Sequence, residues 1–83
     1  MYFPVLTQTF SNDVKALKKD NVLYKRLINK METILINPEH YPIKRHNLKG
    51  KRSAHVGSYV ILFEVKGKEV IFHKFRHHDY VYE

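Results

Sequence analysis

The chain has 83 residues, 43% of them apolar, with five Phe, six Tyr and no Cys. That length makes one small domain, residues 1–83, with enough apolar mass for a single core; the missing thiols exclude disulfide scaffolds, thiolate zinc sites and cysteine nucleophiles. Fifteen Lys and Arg against eight Asp and Glu give a formal charge of +7, which favours a polyanionic partner: nucleic acid, an anionic membrane or an acidic protein.

From Tyr2 to Phe10 the residues are mostly β-branched and aromatic, with Pro4 near the start, the pattern of a short edge strand. Ser11-Asn12-Asp13 then offers a helix cap, and Phe10, Val14 and Leu17 form one apolar stripe away from Lys15, Lys18 and Lys19. Asp20-Asn21 breaks and recaps the chain; Leu23, Leu27, Met31, Ile34 and Leu35 continue at helical spacing until Asn37-Pro38 ends the run. The two helices are predicted to form a hairpin. Residues 38–47 carry two prolines and no apolar period, and so read as a loop.

After that loop the period becomes two. Ala54-His55-Val56 is a predicted strand before Gly57-Ser58, Tyr59 to Val65 a second, and Val70 to Phe75 a third that returns after the turn Lys66-Gly67-Lys68. Strand, helix, helix, then antiparallel strands is an α+β order, with the helical hairpin covering one face of the sheet and the other face partly exposed. No apolar run approaches the roughly 20 residues that span a bilayer, and Met1 to Gln8 lacks a charged n-region. A soluble cytoplasmic protein with no membrane association is expected.

Two segments carry the chemistry. Lys44-Arg45-His46-Asn47-Leu48-Lys49-Gly50-Lys51-Arg52-Ser53-Ala54-His55 is answered by Phe75-Arg76-His77-His78-Asp79-Tyr80-Val81-Tyr82. Cleaving RNA without a metal uses the 2′-OH as nucleophile and needs a base, an acid and cations where the phosphorane gathers charge. Imidazole, with an unperturbed pKa of about 6.5, serves either proton role near neutrality. His55 at a strand start and His78 just past the last strand are expected to converge on one end of the sheet, with His46 supplied from the loop. Lys44, Arg45, Lys49, Lys51 and Arg52 are the candidate RNA-backbone contacts, and Tyr41, Tyr59, Tyr80 and Tyr82 are candidates for stacking on bases.

The other histidines have plainer readings. His73 alternates with Ile71 and Phe75 as a packing or surface residue, His40 sits in an exposed loop, and His77 and His78 are expected to point to opposite sides. His40 with His46, or His73 with His77, have ligand-like separations, but with no cysteine, few nearby carboxylates and no helical HExxH neither metal nor cofactor is expected.

Over nearly its full length the chain resembles the RelE/ParE superfamily of small toxins from toxin–antitoxin modules, and more closely the YafQ-type and RelE-type mRNA interferases. The resemblance is carried by His46-Asn47-Leu48-Lys49-Gly50, by Ala54-His55-Val56 leading into Tyr59-Val60-Ile61-Leu62-Phe63, and by His78-Asp79-Tyr80-Val81-Tyr82. It implies a helical hairpin on one face of a four-stranded, mostly antiparallel sheet, with functional histidines at His46, His55 and His78. The RelE-type arginine six residues before a terminal tyrosine falls on Arg76, ahead of Tyr82; Arg76 would stabilise developing charge and Tyr82 would stack or assist.

The sequence departs from the pattern at Tyr59, where an acidic residue belongs, at Val60, where RelE-type enzymes carry arginine, and in a short turn between Gly50 and His55. The division of base and acid roles stays open. The resemblance implies cleavage of mRNA in the ribosomal A site and neutralisation by a cognate antitoxin with an acidic or amphipathic segment. The alternatives are a ParE-like, non-nuclease inhibitor of gyrase and a noncatalytic RNA-binding module.

Overall fold

The computed structural model describes residues 1–43 and 50–81. Its elements run β1 (Phe3–Leu6), α1 (Gln8–Lys15), α2 (Asn21–Ile36), a 3-10 turn (Pro38–His40), β2 (Lys51–Val56), β3 (Tyr59–Lys66) and β4 (Glu69–His77). The four strands form one sheet in the order β1-β4-β3-β2, in which only the β1–β4 pair is parallel. This is the predicted fold class.

The first strand is shorter than its residue types suggest, and the helix begins earlier. Thr7 reads as a strand residue, yet its hydroxyl accepts from the Phe10 N–H at 3.1 Å and so caps α1. Phe10 therefore enters the core from the helix rather than from β1. α2 matches its prediction: Asp20 caps it by accepting from the Leu23 N–H at 3.0 Å, and Pro38 closes it.

Alternation along the strands separates two faces. Ala54, Val56, Ile61, Phe63, Val70, Phe72 and Phe75 face the helices and bury with Phe10, Leu27 and Ile34. Phe10 and Phe63 both lie against Phe72, with ring centroids 5.3 and 6.1 Å away, so one aromatic cluster joins α1 to the sheet centre. Each such ring contributes about 1.5–3 kcal/mol by leaving water. A register shift between Leu62 and Phe63 keeps Phe72 on this face despite the extra residue in β4.

On the opposite face, Val60 and Leu62 are covered by Val81, which is fully buried. The chain reaches it by curling after β4: the Tyr80 and Val81 N–H groups both donate to the His77 carbonyl, at 2.9 and 3.2 Å. Both β-hairpins turn tightly at glycines with φ of +59°, Gly57 and Gly67, a left-handed conformation that side-chain-bearing residues adopt only with strain.

Candidate functional site

The register sets the site. His55 pairs with Val60, and Val60 pairs with Arg76. Since Val60 lies on the face away from the helices, His55 and Arg76 occupy the same cross-strand row of that face, about 10 Å apart at Cα by strand spacing. His78 lies at the same end of the sheet, where its N–H donates to the Ser58 carbonyl at 2.9 Å and extends the ladder. Offsets of two strands and two residues put it about 12 Å from His55 at Cα. Lys51 and Lys74 continue the basic character of this face; with Thr7, Thr9, Leu62 and His73 they line a hollow of about 240 Å³. Glu64, a carboxylate on this face, is engaged by the His73 ring at 2.7 Å, in keeping with the structural reading of that histidine.

Arg76 is held in place. Its Nε donates to both Asp13 carboxylate oxygens at 3.3 Å, and Asp13 also accepts from the Phe75 N–H at 3.0 Å. Asp13 was legible only as a cap candidate, because 63 residues separate it from the guanidinium. His78 is exposed, and its Nδ1 lies 3.0 Å from Asp79. The pairing of His77 and His78 with opposite sides is overturned: their rings lie 4.4 Å apart and both approach the Asp79 carboxylate. The turn that begins at His77 breaks the strand alternation on which that expectation rested.

Arg52 differs from its neighbour Lys51. It shares a face with Ala54 and Val56, and its guanidinium donates to the Tyr41 and Glu39 carbonyls at 2.7 and 3.3 Å. This clamps the 3-10 turn to β2, so Arg52 does not join the basic face. Tyr41 packs edge-on to Phe63 and Tyr59 stacks on Phe75, so both serve the core. Tyr80 is exposed and available to a ligand. Lys44, Arg45, His46, Lys49 and Tyr82 lie outside the described residues.

The family model for the ParE toxin of type II toxin–antitoxin systems, parDE, matches residues 5–82. The chain belongs to the RelE/ParE toxin family. The toxin is 40% identical over 72 residues to the protein named "Putative toxin RelE4" of Methanocaldococcus jannaschii, a match that covers 83% of this chain and 77% of that one. Its fold is shared with the toxin–antitoxin complex RelBE2 from Mycobacterium tuberculosis, with a TM-score of 0.80, 20% identity, and coverage of 92% of this chain and 96% of the other. The DinJ–YafQ complex from E. coli aligns with a TM-score of 0.75 and 21% identity over the whole of both chains. The chain is thus a toxin of a toxin–antitoxin module, with two helices on a four-stranded mixed sheet.

Proposed function

We propose that this toxin is a metal-independent endoribonuclease that cleaves mRNA, on the ribosome, and that a cognate antitoxin with an acidic or amphipathic segment neutralises it. The observation that supports this reading is the row His55–Val60–Arg76 on the face away from the helices, where Val81 covers Val60 and leaves His55 and Arg76 on either side, with His78 at the same end of the sheet. One imidazole takes the proton from the 2′-OH as its oxygen attacks phosphorus. Another gives a proton to the 5′ oxygen as the P–O bond breaks, leaving a 2′,3′-cyclic phosphate. His55 and His78 are the two candidates within the described residues; His46, the third, lies outside them.

Arg76, oriented by Asp13, offers a fixed cation to the phosphorane. Lys44, Arg45, Lys49 and Lys51 hold the RNA backbone, and Tyr82 stacks or assists. Arg52, on the other face, gives its Nη1 to the Tyr41 and Glu39 carbonyls and would contact RNA only through its other nitrogens. The reading carries a cytoplasmic location with it; no helix among the described residues is long and apolar enough to cross a membrane.

The test is ribosome-bound mRNA incubated with purified toxin in EDTA. Cleavage with 2′,3′-cyclic ends, slowed at least about a hundredfold by His55→Gln or His78→Gln, is the expected result. The parDE description of the matched family favours a second reading, a non-nuclease toxin acting on gyrase. Blocked replication with intact mRNA would establish that reading and overturn the first.

A further inference from the structure

We infer that His77, His78 and Asp79 form a binding site for a divalent transition-metal ion of the zinc type, at the point where β4 turns back on the sheet. Each residue offers one ligand atom, and all three atoms lie within 4.8 Å of one another. The carboxylate bridges the two rings at their Nδ1 atoms: one Asp79 oxygen is 3.4 Å from His77 Nδ1, and the other is 3.0 Å from His78 Nδ1. Ligand atoms around tetrahedral Zn²⁺, bound at about 2.0–2.1 Å, are separated by roughly 3.3 Å. His77 Nδ1 also accepts from the Asp79 N–H at 3.2 Å, a bond that an ion would displace, and solvent reaches all three side chains, which are 35%, 55% and 58% exposed.

The backbone explains why three consecutive residues converge. The His78 N–H is fixed to Ser58, the His77 carbonyl accepts from both Tyr80 and Val81, and buried Val81 anchors the far end. The turn is therefore held at both ends, and much of the cost of gathering the ligands is met by folding. Two imidazoles and one carboxylate suit Zn²⁺, Ni²⁺ or Cu²⁺ rather than the all-oxygen sites of Ca²⁺ and Mg²⁺. Three protein ligands leave a fourth position for water or another donor.

The site shares His78 with the proposed cleavage reaction. A bound ion takes the lone pair that the proton-transfer role requires, so occupancy would inhibit; this consequence rests on the nuclease reading, whereas binding itself does not. The experiment is calorimetric titration of tag-free toxin with ZnCl₂, alongside His77→Gln, His78→Gln and His73→Gln variants checked for folding by circular dichroism. One ion per chain, with affinity lowered at least tenfold in the first two variants and unchanged in the third, is the expected result. No binding, or binding undiminished in His77→Gln and His78→Gln, overturns the site. Binding by a toxin that leaves mRNA intact would uphold the metal site and overturn only the nuclease reading.

Discussion

Replacing Asp13 by Ala should destabilise the toxin far more than replacing it by Asn. β1 stops pairing with β4 at Phe72, so the outer edge of β4 beyond that point lacks a strand partner, and Asp13 takes over by accepting from the Phe75 N–H. The Asp13 side chain is 13% exposed while Arg76 is 38% exposed. The ion pair is therefore screened and contributes at most about 1 kcal/mol, whereas an unpaired, part-buried N–H costs about 1–3 kcal/mol. Asp13→Ala loses both, about 2–3 kcal/mol together. Asp13→Asn keeps an acceptor oxygen and loses about 1 kcal/mol. The assay is urea unfolding followed by circular dichroism, since the chain has no Trp. With a slope of about 1 kcal/mol per molar, the midpoint should fall by about 2–3 M for the Ala variant and by about 1 M or less for Asn. Equal midpoints for the two variants, or an Arg76→Ala variant as damaging as Asp13→Ala, would refute the dominance of the backbone hydrogen bond.

The remaining predictions concern the tail and the N-terminal strand. Val81→Ala should cost about 1–2 kcal/mol by thinning the cover over Val60 and Leu62, while His78→Gln, at an exposed position, should stay within about 0.5 kcal/mol of the parent in the same urea assay; an unshifted midpoint for Val81→Ala would mean the cover contributes nothing. The Tyr2 hydroxyl donates to Glu39 at 2.6 Å, and this hydrogen bond, with burial and the Glu39 charge behind it, raises the phenol above its ordinary value against the opposing pull of Arg52. Because the folded value is the higher one, the stabilisation is present below about pH 10 and is lost as pH rises through the folded value. Tyr2→Phe should therefore flatten the alkaline limb of the stability profile and remove a late-ionising phenolate from the absorbance titration; an unchanged limb would refute the coupling.

Local signals were readable from the sequence where one physical device acted alone. Asp20 and Pro38 bracket α2 by capping and by the missing N–H, and the β-branched and aromatic run from Tyr59 to Val65, closed by the Lys66-Gly67-Lys68 turn, defines β3. The start of α1 was misread because Thr7 is both β-branched and a good cap, and its hydroxyl decided the matter. Lys51 and Arg52 look alike in sequence, yet adjacent strand residues face opposite ways, and only the pairing of Lys51 with Glu64 and Arg52 with Phe63 assigns one to the open face and the other to the clamp. The Asp13–Arg76 pair and the gathering of His77 and His78 on Asp79 depend on tertiary contacts and on a turn that no residue period announces.

The parallel pairing of β1 with β4 gives synthesis a particular order. The first strand of the sheet to leave the ribosome finds its only neighbour in the last of the four, and His55 comes level with Arg76 only through β3. A growing polypeptide therefore carries β1 as an unsatisfied ribbon, with Phe10 lacking its Phe72 neighbour, through most of its translation. The row His55–Val60–Arg76 is thus among the last parts of the architecture to exist, and until β4 emerges the nascent toxin presents its sheet incomplete.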